Sequence, residues 1–289
     1  MSAGLGWMML AQLCFAVMNV STRLGAAHLP WPEIAAGRFL IGALIAIGLG
    51  VARGSPLRPS DPRGARWRSG YGTLAAIGSF FALGSDRIGV ADAATLTATA
   101  PVFVALLSGP LLGEAVGPRL WVALALTFAG IVALLQPAFA LAWPVVLVAT
   151  LGALSYAMAI IWLRRIGPAE SHEAVVLHFS LTGLVTMLLL ALSAWRWPDG
   201  HGALYLLGAG LGGGGAQLAM TRAYALQRAA PVSALSSLGI VFTYLLALPL
   251  FPEHPTAWQV AGSLLVILAT AEISFGHDRH PARAARPGV

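Results

Sequence analysis

Hydrophobic positions along this 289-residue chain gather into long blocks. Ten apolar stretches, at 4–22, 31–52, 69–85, 91–112, 118–137, 143–163, 172–195, 203–221, 229–251 and 256–275, alternate with polar connections, the longest from Arg53 to Arg68. Each is close to the ~20 residues that a helix rising ~1.5 Å per residue needs to cross a ~30 Å hydrocarbon layer. The pattern predicts an all-α integral membrane protein with ten transmembrane helices. No basic leader precedes the first stretch and a second follows almost at once, so the first reads as a true span rather than a signal peptide.

Composition agrees. Hydrophobic residues make up 58% of the chain and charged residues 10%, against roughly 25% charged in soluble domains. All 17 basic residues are arginine and give a net charge of +6. They sit in short loops rather than in one patch, so the expected partners are a lipid bilayer and a small-molecule substrate, and no nucleic acid. With the N-terminus placed in the cytoplasm and Arg38 left out as lying within a span, thirteen arginines fall on that side and three, Arg23, Arg87 and Arg196, on the other. The asymmetry predicts a bacterial-type inner membrane protein with both termini cytoplasmic.

The chain also repeats itself. Shifted by 139 residues, Ala91–Glu114 and Ala230–Glu253 are identical at nine of 24 positions, including Pro110/Pro249 and Glu114/Glu253. At an offset of 140, Glu33, Arg38 and Phe39 face Glu173, His178 and Phe179. Two five-helix halves follow, 1–137 and 138–276, with 277–289 as a basic cytoplasmic tail. Five is odd, so the second half enters the membrane the other way up. Inverted repeats of this kind build alternating-access transporters with substrate near the midplane. Two fused halves complete a pathway, so a monomer is expected.

Ten helices as a five-plus-five duplication, each half closing on an apolar run before Pro…Glu (ALLSGPLLGE, LLALPLFPE), resemble the EamA family of the drug/metabolite transporter superfamily. The resemblance spans 4–275 and is strongest to aromatic amino-acid exporters. It implies export of small metabolites, amino acids and aromatic ones included, with no cofactor. Sugars, nucleotide-sugars and organic cations are the alternative cargoes. Two departures stand out: Phe251-Pro252 precedes the second glutamate, and His178 replaces the first half's Arg38. The small multidrug exporters of this superfamily use a glutamate in the first span. None lies between Met1 and Arg23, which argues against that proton/drug exchange.

Candidate substrate-binding residues are polar or aromatic and mid-span. Gln12, Phe15 and Asn19 share one stripe of the first span, and amides at that depth belong inside the bundle, either in interhelical bonds or facing cargo. Gln217 is comparable. Phe80, Tyr156 and Tyr244, with Phe81 and Phe179, offer rings for packing or for a planar substrate. Candidate gating or coupling residues are Arg38, with Asp86 or Asp92 as possible partners, His178, which could titrate near neutrality, and Pro101, which would kink the fourth span by freeing the carbonyl of residue 97.

Glycines of the eighth span read Gly208-x-Gly210-x-x-Gly213, a dinucleotide-binding spacing, yet no carboxylate lies between Asp199 and Glu253 and nineteen uncharged residues surround it. Close helix packing or bending through Gly208/Gly212 and Gly210/Gly214 remains. An enzyme would need a nucleophile with its base, or clustered metal ligands; Cys14 has no histidine at helical spacing, so no catalytic or metal site is expected.

Overall fold

The computed structural model describes residues 3–83, 99–114, 116–135, 143–250 and 256–276. Among them every regular element is helical: α1 Ala3–Gly25, α2 Trp31–Arg53, α3 Pro62–Leu83, α4 Ala100–Leu112, α5 Pro118–Leu135, α6 Trp143–Ile166, α7 His172–Ala191, α8 Gly200–Leu226, α9 Ala229–Leu235, α10 Leu238–Ala247 and α11 Ala257–Gly276. Among the described residues five stretches are long and apolar enough to cross a membrane by length and composition: Ala3–Gly25, Trp31–Arg53, Leu147–Ile166, His172–Ala191 and Ala229–Ala247. Shorter apolar helices cover Ala100–Leu112, Pro118–Ala133 and Val260–Ala269. In α3 the arginines of the first two turns, and in α8 the glycines, dilute the hydropathy of otherwise sufficient lengths.

Three places differ from the sequence reading. First, α3 begins at Pro62 rather than near 69. Asp61 Oδ1 accepts the Gly64 N–H at 3.0 Å, and the proline after it occupies a helix position that needs no donor, so the basic segment Arg63–Arg68 is helical. Second, the ninth span is two helices. At Ser236–Ser237 the pattern tightens to three-residue hydrogen bonds, Gly239 N–H to Ser236 O at 3.0 Å and Ile240 N–H to Ser237 O at 3.2 Å, while Ser236 Oγ donates to Ser233 O at 2.6 Å. Third, Pro101 lies in the first described turn of α4, where its missing N–H costs nothing; residue 97, whose carbonyl it was expected to free, is outside the described residues. Pro101 matches Ile240 at offset 139, so the interruption at Ser236–Ser237 lies in the half without that proline.

The packing has an exchange symmetry. α1 lies along α8, and α3 along α6; α2 touches α8, and α7 touches α3; α1 touches α10, and α6 touches α4. Swapping the helices of 1–137 for their counterparts in 138–276 turns the first member of each pair into the second. The remaining large contacts, α2 with α7, α5 with α11 and α4 with α9, map onto themselves.

Side-chain sizes are distributed for lipid rather than water. Large apolar residues such as Leu44, Val185, Leu204 and Leu211 point outward, and the interior is rich in alanine and glycine. Hydrocarbon attracts leucine as well as protein does, so close approach and dispersion hold the helices together. The α8 glycines are the tightest instance. A Cβ on Gly212 would stand 2.8 Å from the Cys14 carbonyl oxygen and the Met18 nitrogen of α1, and one on Gly214 would stand 3.1 Å from Gly42 Cα of α2. The dinucleotide-like spacing is therefore a packing face.

A carboxylate staples two loops at one end of the bundle. Glu170 accepts the Ser60 N–H, the Ser60 hydroxyl at 2.6 Å, the Asp61 N–H and the Ser171 N–H. Burial alone would raise its pKa, but these donors together outweigh burial and hold it below the usual carboxylate range.

Two outcomes follow. Gly212→Ala should destabilise the protein by about 1–3 kcal/mol, whereas Gly48→Ala, with no atom within 4 Å of its added carbon, should be neutral or slightly stabilising; equal unfolding midpoints in detergent would contradict the close approach. Because the Glu170 value is depressed on folding, its stabilisation is present above the ordinary value of about 4.3 and is lost as pH falls through the lower folded value. The acid-side fall of the wild-type midpoint should flatten in Glu170→Gln, and identical pH profiles would remove this staple from the account.

Candidate substrate-binding site

Two arginines enter the interior where α2, α3, α7 and α8 meet. Arg38 is seven residues into α2 and only 6% exposed. Its Cζ is 4.8 Å from the centre of the Phe39 ring, and its side chain lies flat on Gly213, where a Cβ would stand 2.7 Å from both Cγ and Nε. Arg68 is six residues into α3, about 9 Å from its start, and 2% exposed. Its Cζ sits 3.8 Å above the centre of Phe179, and Nη2 donates to Gln217 Oε1 at 2.9 Å. Gly72 opens the space, since a Cβ there would reach the Phe179 ring at 2.8 Å and Arg68 Nη1 at 3.0 Å.

Each guanidinium lies over one of two rings. Phe39 and Phe179 meet edge to face, centroids 5.2 Å apart at 83°, and they are counterparts at offset 140. The row Arg38, Phe39, Phe179, Arg68 is thus nearly symmetric, although the residue matching Arg38 is a histidine. His178 binds Ser69 through Nδ1···Oγ at 2.8 Å, and the second guanidinium of the row comes from Arg68 on the neighbouring helix. Ring faces and a side-chain amide solvate the arginines. Even so, Nε of Arg38 and both Nε and Nη1 of Arg68 are buried with no hydrogen-bond partner. The ion pairs among the described residues are His28–Asp199, Arg53–Glu173 and Arg164–Glu114, none involving these two arginines. Asp86 and Asp92 lie outside the described residues.

Two tyrosines extend the region toward α6 and α8. Tyr156 Oη points at Met220 Sδ, 3.4 Å away, and the ring lies close to Arg68. Tyr224 is fully buried beside it, and its hydroxyl lies outside hydrogen-bonding geometry.

The first-span amides sit elsewhere, against the α9–α10 joint. Asn19 Nδ2 donates to Thr243 Oγ1 at 3.2 Å, and that hydroxyl donates to Gly239 O at 2.7 Å. Gln12 Nε2 donates to Met8 Sδ at 3.1 Å while its oxygen lies against Gly239. Phe15 packs with the main core and Tyr244 with Ile131, Leu238, Val241 and Val266. Phe80 stacks near Trp31, centroids 6.4 Å apart, within the cluster containing Phe39 and Phe179. So Arg38, Gln217, Phe80 and Tyr156 gather around the arginine row, whereas Gln12, Phe15, Asn19, Tyr244 and Pro101 do not.

Sequence reasoning missed Arg68, which it counted among the loop arginines, and gave Phe179 only a general aromatic role. The Asp61-Pro62 helix start was the signal that would have moved Arg68 into a helix. The first-half Pro…Glu motif also has a clear role: Glu114 accepts Arg164 Nε at 3.1 Å and the Ala229 N–H at 2.8 Å, joining the end of α4 to α6 and to the start of α9. Its counterpart Glu253 is outside the described residues.

Residues 2–136 and 143–275 each match the model of the EamA-like transporter family. Solute carrier family 35 member G1 of Homo sapiens is 27% identical over 63% of this chain, the match spanning about half, 54%, of that protein. The pseudopaline exporter CntI of Pseudomonas aeruginosa is 27% identical, covering 92% of this chain and 93% of its own. An S-adenosylmethionine uptake transporter of Rickettsia felis is 24% identical, with 97% and 95% covered. None of these three is named for an aromatic amino acid, so the narrower resemblance to aromatic amino-acid exporters finds no support among them. A protein of known crystal structure at 24% identity superposes with a TM-score of 0.81 over 96% of this chain and 99% of that one, which shows the fold.

Gln217→Leu strips Arg68 of its one side-chain acceptor and should cost transport at least about tenfold, a loss of roughly 1.5–3 kcal/mol at a charged group. Asn19→Leu breaks an interhelical tie worth about 0.6 kcal/mol in such bundles and should act mainly on the unfolding midpoint. The reverse ranking, read from transport rate and thermal unfolding together, would shift the site toward α1.

Proposed function

This chain belongs to the EamA-like transporter family, and we propose that it moves a small metabolite by alternating access, with halves 1–137 and 138–276 inverted about the junction of α2 and α7. Ten crossings, cytoplasmic termini and a working monomer belong to the same reading. It is supported by the exchange symmetry of the helix contacts, by the internal sequence repeat and by the arginine asymmetry, twelve to three once the buried Arg68 is left out. Transport rather than enzymatic chemistry is the named activity of its relatives.

The observation that carries the site is the buried Arg38–Phe39–Phe179–Arg68 row. It lies where the two self-paired helices α2 and α7 touch, the place where substrate meets both halves in an inverted-repeat carrier. Unpartnered guanidinium N–H groups suit an oxyanion, and Phe80 and Tyr156 offer apolar surface beside them. Amino acids, aromatic ones included, are the first cargo class to test, because they bring a carboxylate and, in some, a flat ring. Relatives named for export and for uptake leave the direction to the gradient, so facilitated movement is the simplest energetics. His178, bonded to Ser69, is the group to which any pH dependence of transport would be assigned.

Counterflow in proteoliposomes tests this reading. Vesicles loaded with unlabelled amino acids should accumulate labelled phenylalanine, with competition by tryptophan or methionine. Folded protein that accumulates no amino acid, but does accumulate a sugar, nucleotide-sugar or cation, would keep the carrier and change its cargo.

A further inference from the structure

Two positive charges share one apolar interior, and this constrains the cargo more sharply than the family does. A guanidinium does not give up its proton in a protein, so Arg38 and Arg68 keep their charges even at 6% and 2% exposure. Moving a charge into low dielectric costs several kcal/mol unless another charge or a full set of hydrogen bonds replaces the lost water. Among the described residues Arg68 receives one amide oxygen and one ring face, Arg38 one ring face, and three guanidinium nitrogens receive nothing. The arginines also approach neighbouring turns of one helix, at Gly213 and Gln217, four residues apart and so about 6 Å along the axis. Two like charges in one low-dielectric interior raise one another's energy.

A zwitterion would satisfy one guanidinium and bring a new cation. An anion with two negative charges would satisfy both. We infer that Arg38 and Arg68 form the two arms of an oxyanion clamp around the Phe39–Phe179 pair, and that the preferred cargo is a small organic dianion, its charges carried by two carboxylates or by one phosphomonoester. Planar guanidiniums recognise either group better than an ammonium would, which fits arginine at both places. Gly72 and Gly213 belong to the device, because an added methyl at either would push an arginine out of position. This inference rests on the carrier reading and names the charge of its substrate.

The purified full-length protein in detergent decides it. Thermal unfolding and calorimetric binding are measured with succinate, glycerol phosphate, L-phenylalanine and choline. Succinate or glycerol phosphate should raise the wild-type midpoint and bind more tightly than phenylalanine, and which of them does so separates carboxylate from phosphate cargo. Arg68→Gln and Arg38→Gln should each weaken that binding at least about tenfold, the loss of a charge-assisted bond, with part recovered in Arg68→Lys. Should a glutamine variant fail to fold, Gly213→Ala displaces Arg38 while keeping its charge, and should weaken anion binding likewise. The inference is overturned if phenylalanine or choline binds and neither dianion does, if no probe binds, or if folded variants bind the dianion as the wild type does. Counterflow keeps the two levels apart: accumulation of phenylalanine or choline without dianion binding would retain the carrier and reject the clamp.

Discussion

Close approach of α8 to α1 and α2 is the contact on which the interior depends. Without side chains at Gly212 and Gly214, backbone meets backbone, and the α8 turn between Gly213 and Gln217 comes within reach of both arginines. Hydrocarbon supplies no force that favours apolar contact between helices over contact with lipid, so small residues and snug dispersion contacts hold the bundle. A methyl group at these positions would push α8 away and take with it the seat of Arg38 and the amide that receives Arg68.

The second constraint is the cost of polarity in such an interior. Most polar side chains meet it locally: Thr182, Thr186 and Thr221 donate to carbonyls one turn back, and Asn19 ties α1 to α10 through Thr243. Glu114 and Glu170 collect backbone donors at helix ends, where loops bring N–H groups together. Hydroxyls such as those of Thr73, Thr127 and Tyr224 stay unpartnered, but in the arginine row it is permanent charge that does so. Its charges are softened by ring faces and one amide, and N–H groups remain over. A site whose donors wait for an acceptor suits binding, whereas a saturated network suits rigidity.

Symmetry and its breaking then take separate tasks. The Phe39–Phe179 contact joins equivalent positions of the repeat, and the pairwise exchange of helix contacts extends that equivalence through the bundle. Charge does not follow it. Arg38 is answered by His178, and a second guanidinium arrives from α3 instead. The equivalence of the two halves is therefore one of shape and not of charge.

Hydropathy alone determined that this chain is helical and made for a membrane, and unequal arginine numbers gave it an expected orientation. The internal repeat was legible because proline and glutamate are scarce here and their coincidence at one offset is informative. Those properties depend on composition and local order, which a one-dimensional reading retains. Arg38, Gln217, Phe80 and Tyr156 could be picked out because polar or aromatic groups at mid-span depth need a reason. Which of them meet was decided only by the tertiary structure. Asn19 and Gln12 carry the same amide signal as Gln217, yet they face the α9–α10 joint, and nothing along α1 says which neighbour its stripe will meet. Arg68 looked like one more loop arginine until an Asp-Pro start drew it into α3 and Gly72 let it lie over Phe179. Partner choice in a helical bundle depends on rotation and close approach between distant segments, and those are settled by the packing of small residues.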